Sequence, residues 1–216
     1  MRAFAFAFLL LLAGCAHLPT LQPVDDTRQA RLASRCRSIF PDGRWQLVHT
    51  IHARFRNGRQ AAMTGVILLS SGGASLHCFL LSPEGFVFFE AQDNGELIIH
   101  RAVGPFDSPD VARGVMRDIR LMFVAPDGNG ITCGRFDGDV HGCRYDSDAN
   151  RIIDVFGGGD GRWHIRQHTP PRTIIAEAVD PRGIASRLTL DAHGDATYSL
   201  TLQLIEAVPL TEKEEP

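Results

Sequence analysis

The chain has almost no lysine. Lys213 is the only one in 216 residues, and every other basic side chain is arginine. With 22 basic residues against 25 acidic ones the net charge is −3. That balance offers no basic patch for nucleic acid, which calls for a high pI. Long apolar runs are also missing. The single greasy stretch, residues 3–12, falls far short of the ~20 residues that cross a bilayer as a helix. There is no CxxC pair and no HExxH, so the common zinc spacings are absent and no metal site is expected. Residues 70–73, SSGG, do not form a GxSxG elbow. Residues 157–161, GGGDG, lie between strand-like segments rather than opening a helix, which argues against a phosphate cradle. No nucleophile–base pattern and no cofactor motif remain, so neither an enzyme nor a bound cofactor is expected. His164 and His168 share a face of a strand-like segment without needing a ligand role. Asp146, Asp148 and Asn150 imitate the start of a calcium loop. Arg151 and Gly157 stand where that loop needs Gly and Glu, so a solvated turn is the reading.

What is present begins at the N-terminus. Arg2 precedes the apolar run, and small residues Ala13 and Gly14 precede Cys15, which is the layout of a signal peptide. Leu12, Ala13, Gly14 and Cys15 resemble the bacterial lipobox. The resemblance implies cleavage after residue 14 and a lipidated Cys15 at the mature N-terminus. Loss of Arg2 would leave 21 basic residues against 25 acids and a net charge of −4. Ala16, in place of an inner-membrane-retaining Asp, implies the outer membrane. Residues 15–26, with Pro19, Pro23 and two acids, read as a lipidated tether.

Four cysteines remain, Cys36, Cys78, Cys133 and Cys143. An even number in an oxidising compartment reads as disulfides, and four allow three pairings. Cys133 and Cys143 flank an Asp137, Gly138 turn signal. A bridge clamping that hairpin is therefore expected, with Cys36 and Cys78 paired by elimination.

Periodicity then sets the fold class. Residues 27–39 carry Leu32, Cys36 and Ile39 at helical spacing, and PDG at 41–43 ends that short helix. From Trp45 the period changes to two. Trp45, Leu47, His49, Ile51, Ala53 and Phe55 share one face of a half-buried strand. Asn57 and Gly58 make a strong hairpin turn, and MTGVILL, SLHCFLL, FVFFEA and ELIIHRA follow as a meander. The pattern breaks once. Residues 108–124 predict an amphipathic helix with Ser108 as N-cap, Pro109 at its first position and a stripe of Val111, Val115, Ile119 and Met122. Strands return in pairs to ATYSLTLQLIEA, and residues 207–216 form an acidic tail.

The meander from Trp45, the turn Ser82, Pro83, Glu84, Gly85 after SLHCFLL, the helix ending RDIRLMFVAP and the closing pair GIASRLTL and ATYSLTLQLIEA resemble the LolA/LolB family of periplasmic lipoprotein carriers and receptors. The resemblance covers about residues 27–206 and implies a mainly β (α+β) domain. Its fold would be a half-open antiparallel barrel of about eleven strands, with a mid-chain lid helix and a short N-terminal helix. It implies an apolar concavity that takes acyl chains. The resemblance implies that the turn of Pro83, Glu84 and Gly85 faces the membrane; the family's receptor carries a protruding leucine where this chain has Glu84, an anionic tip that anionic lipid would repel rather than take in.

A lid helix of about 16 residues spans only ~24 Å and cannot fill a broad sheet by itself. The expected slot is lined by Leu47, Ile51, Phe55, Phe88, Ile99, Met116, Leu200 and Leu202. The leading expectation is a monomeric lipoprotein on the periplasmic face of the outer membrane. Acyl chains hold it to the membrane, and it binds or passes on a lipid or lipoprotein cargo. The alternative is a packed structural or assembly lipoprotein acting through partner contact.

Overall fold

Alternation of apolar and polar residues produces strands here, and the computed structural model describes them within residues 18–70, 75–127, 130–147, 151–194 and 197–211. The leader, Cys15 and the first part of the tether lie outside the described residues. So do Asp148 and Asn150 of the calcium-like loop and the tail from residue 212.

Among the described residues thirteen strands, rather than the eleven or so expected, form one antiparallel sheet that does not close. They are β1 (Leu21–Pro23), β2 (Arg44–Phe55), β3 (Gln60–Ser70), β4 (Ser75–Leu81), β5 (Val87–Asp93), β6 (Leu97–Ala102), β7 (Gly130–Phe136) and β8 (Val140–Ser147). The rest are β9 (Arg151–Gly157), β10 (Trp163–Gln167), β11 (Arg172–Val179), β12 (Ala185–Ala192) and β13 (Tyr198–Pro209). Their order is β1-β7-β8-β9-β10-β11-β12-β13-β2-β3-β4-β5-β6. The long pairing of β13 with β2, from Tyr198 opposite Phe55 to Pro209 opposite Trp45, joins the two ends of the chain at the middle of the sheet. It turns two local meanders into one curved surface.

Helix α1 (Asp26–Arg37) starts where Asp25 accepts a hydrogen bond from the Arg28 amide at 3.0 Å. Asp26 in its first turn and Arg35 and Arg37 in its last suit the helix dipole. Helix α2 (Pro109–Phe123) follows a short 3-10 turn, Gly104–Phe106. Pro109 sits at its first position, and Ser108 makes no side-chain capping bond. One continuous buried cluster contains Cys36 of α1, Met116, Ile119 and Phe123 of α2, and the inward residues of the strands. Both helices therefore lie against the same core.

Two boundaries differ from expectation. The expected tether is partly built in. Leu21–Pro23 pairs with β7, and Gln22 meets Arg135 through its side chain at 2.7 Å. Gly134 makes this approach feasible, since a β-carbon there would stand 2.1 Å from the Gln22 carbonyl oxygen. At the other end β13 continues to Pro209, so the sheet takes the first residues of the expected tail.

The expected Cys133–Cys143 bridge is present between residues directly opposed in β7 and β8. The expected Cys36–Cys78 bridge is not; both are free, buried thiols. Cys36 lies on α1 with its Sγ 3.5 Å from the Val155 carbonyl of β9, whereas Cys78 is on β4. Six strands separate β9 from β4 in the sheet. Burial pushes both thiols up to about 12, which keeps them protonated and unreactive.

Candidate functional site

The inward rows of four neighbouring strands build a floor. Leu202 stands opposite Ile51, which stands opposite Met63. His49 faces Gly65, which faces Leu80, and Ile67 faces Cys78. The roof is Pro105 and Phe106 of the 3-10 turn together with Val111, Gly114, Val115, Ile119 and Met122 of α2. Between them lies a cavity of about 350 Å³ with an almost wholly apolar wall. The floor and the roof are both kept thin by small residues. A β-carbon at Gly65 would come 2.6 Å from Ile51 Cδ1, so glycine leaves room for the isoleucine side chain. Gly114 likewise gives the helix no side chain above the cavity.

Polar groups on this wall are few. Asp118 and Arg172 are both buried and pair at 3.0 Å from Nε to Oδ1. The Tyr198 hydroxyl donates to the other Asp118 oxygen. Arg172 Nη1 also donates to the Pro171 carbonyl at 2.9 Å. Burial, and then the Asp118 charge beside it, push the Tyr198 phenol well above its ordinary value. These contacts latch α2 to β11 and β13. Because each charge is paired and hydrogen-bonded, the group is tolerated in a dry setting.

His49 is different. It is 1% exposed, and neither ring nitrogen has a hydrogen-bond partner. Its ring packs 5.4 Å from that of Phe123, and burial lowers its pKa to about 4. A neutral imidazole therefore faces the cavity at neutral pH with one donor and one acceptor unused.

Of the expected lining, Ile51, Phe55, Leu200 and Leu202 reach the cavity. Leu47, Phe88, Ile99 and Met116 do not. Leu47 and Met116 are sealed in packed core, 0% and 2% exposed. Phe88 stacks on Phe106 at 5.3 Å, behind the roof. Ile99 is exposed on β6, where a register shift between Glu90 and Ala91 breaks the simple alternation. Residues the sequence reading passed over include His49 as a cavity group, Met63, Arg172 and Asp118. A signal for Asp118 existed: it lies three residues after Val115 and four before Met122, inside the apolar stripe.

The turn at Pro83, Glu84 and Gly85 is exposed. A hydrogen bond from Ser82 holds the Glu84 carboxyl below its usual range. Phe86 beside it is exposed, with the Arg101 guanidinium 4.7 Å over its ring. Of the histidine pair, His168 bonds to buried Asp154 at 2.8 Å and His164 stacks on Phe156 at 5.2 Å, so the two serve separate contacts.

The fold is similar to that of a LolA superfamily protein from Nitrosomonas europaea. The overlap covers 87% of this chain and 94% of that one, at 12% identity and a TM-score of 0.44. No protein-family model matches the chain, and no curated protein does. The cavity, and not this likeness, carries the functional reading.

Proposed function

We propose that this chain is an envelope lipoprotein that binds one acyl chain non-covalently between α2 and the floor of β13, β2, β3 and β4. The observation that carries the reading is the apolar cavity of about 350 Å³ under a helix latched by one buried ion pair. That volume is at the small end of ligand pockets, ~300–1,000 Å³, and suits a single chain better than a whole multi-chain lipid. Transfer of each methylene from water is worth ~0.8 kcal/mol, so roughly ten would supply about 8 kcal/mol before the cost of immobilisation. His49 would meet a hydroxyl or carboxyl group on the ligand.

In this reading Cys15 is the acylated anchor at the periplasmic face of the outer membrane, and the cargo is a lipid or a lipoprotein. The turn at residues 83–85 faces the membrane, with Phe86 supplying the apolar contact that Glu84 cannot. The latch of Asp118 to Arg172 and Tyr198 sets how readily α2 lifts for exchange.

Native mass spectrometry of the full chain extracted from its host membrane tests the proposal. A bound acyl-bearing molecule that is lost in Val111→Trp, which fills the mouth of the cavity from an exposed helix position, is the expected result. A ligand-free wild-type protein, or equal occupancy in the variant, overturns it and favours the packed, partner-contacting alternative.

A further inference from the structure

We propose that His77, Glu90 and His100 form a site for a divalent late first-row cation, Zn²⁺ being the representative, on the face of β4, β5 and β6 away from the cavity. This inference is independent of the acyl-chain reading.

The three residues come from three adjacent strands, and one ligand atom of each lies within 4.8 Å of the others. His77 stands opposite Gln92, one same-face step from Glu90, and its Nε2 is 3.1 Å from Glu90 Oε1. His100 arrives by an irregularity. Glu90 pairs with Arg101 and Ala91 with Ile99, which leaves His100 as the extra residue of a bulge. A bulge re-aims side chains and breaks strict alternation. Here it brings the His100 ring to 5.6 Å from that of His77. Simple period-two reading of LIIHRA gives no hint of this.

The donor set is two imidazole nitrogens and one carboxylate oxygen. That set suits zinc, copper or nickel, whereas calcium and magnesium prefer oxygen alone. Tetrahedral zinc with bonds near 2.0–2.1 Å holds its ligands about 3.4 Å apart. The donors must therefore close by roughly 1.4 Å at most from their 4.8 Å limit. Side-chain rotation can supply that, because His77 and Glu90 retain 27% and 29% side-chain exposure and His100 is exposed. The His77 ring is steadied by Phe79, 4.3 Å away, which lowers the cost of ordering it. Arg101, the nearest strand neighbour of opposite sign to Glu90, is turned over the Phe86 ring.

Binding has a structural consequence. Among the described residues β6 is an edge strand paired with β5 alone, and their pairing is bulged. A cation shared by β4, β5 and β6 would pin that edge. Three protein ligands leave at least one coordination position for water or for a donor from another molecule.

The test titrates Zn²⁺ into the metal-stripped full chain in detergent, by calorimetry and by amide exchange of β6. Wild type should bind one equivalent and slow β6 exchange. H100A and E90Q should weaken binding by more than about tenfold and abolish the slowing, while H52A, at an exposed histidine on β2, should change neither. H100A removes an exposed side chain, so its result is readable without loss of the fold. Absence of saturable binding overturns the proposal. So does binding that H100A leaves intact, or that H52A weakens equally.

Discussion

The two helices cover two parts of one sheet and border cavities of different chemistry. Against α1, Leu32, Arg35 and Cys36 border a cleft of about 320 Å³ with Asp139, His141 and Gly158, where polar groups mix with apolar ones, while Cys133, Cys143, Tyr145, Val155, Ile165 and Ile174 of β7 to β11 are all at most 1% exposed and Cys36 closes on Val155. Beneath α2, the strands β13, β2, β3 and β4 enclose a cavity. The apolar cavity lies under the more apolar helix. α1 buries one residue, Cys36, while α2 buries seven. Amphipathicity tells which way a helix faces. What the space beneath holds depends on side-chain volume at matched positions: the room at Gly65 is taken by Ile51, while Gly114 puts no side chain over the cavity. The α1 side is tied by a disulfide as well as by the buried Arg144–Asp154 pair, the α2 side by the Asp118–Arg172 pair. A covalent tie survives any opening of the structure, whereas an ion pair can be exchanged for water.

The largest effect should come from breaking that non-covalent tie. Asp118→Ala leaves Arg172 buried without its partner and should cost ~3–5 kcal/mol in denaturant unfolding. Restoring an apolar pair with Asp118→Leu and Arg172→Met should recover most of it. If the single variant is as stable as wild type, α2 is not held by the latch.

The next effect is a pH dependence carried by His49, on the α2 side of the sheet. His49 has its pKa lowered from 6.5 to about 4 in the fold. Between those values the unfolded chain takes up a proton that the folded chain refuses. Stability should be level above about pH 6.5 and should fall as pH drops toward 4, by up to about 3 kcal/mol. His49→Leu should flatten the thermal-melt profile across that window. An unchanged slope in the variant would place the titration elsewhere.

Removing the covalent tie should cost somewhat less. Cys133→Ala with Cys143→Ala opens a short loop, worth ~2–3 kcal/mol, visible as a lower melting temperature with ligand occupancy preserved. Loss of ligand along with stability would show that the two halves are coupled.

The smallest stability effects should accompany the most informative binding changes. Val111→Trp should alter unfolding by no more than ~0.5 kcal/mol while emptying the cavity. Glu84→Leu should leave stability unchanged and increase liposome binding in a flotation assay. No increase would mean that this turn does not face the membrane.

Much of this architecture was legible in the chain. Trp45, Leu47, His49, Ile51 and Ala53 alternate as a buried face, because a strand has a period of two and its solvent face tolerates Gln46, Thr50 and His52. Pro109 started α2, and Pro126 came just after its end. The Asp137, Gly138 turn forecast the Cys133–Cys143 bridge, since a hairpin puts its flanks opposite each other by local geometry. The candidate site was half legible. Ile51 and Leu202 were found by alternation, but Met116 was misplaced, because helix periodicity fixes a face and not which part of that face meets packed core.

What the sequence determined by itself is therefore local: strand faces, turns, helix ends and the bridge across one hairpin, each set by residues near one another in the chain. The tertiary structure decided everything that needed distant residues to meet. It paired β13 with β2, drew Leu21–Pro23 onto β7 and kept Cys36 and Cys78 apart. It set Asp118 against Arg172, left His49 unpartnered, and gathered His77, Glu90 and His100 across a bulge. The reason is physical. Register and curvature come from summed packing over the whole sheet, and a one-residue slip or bulge re-aims side chains that no local pattern distinguishes.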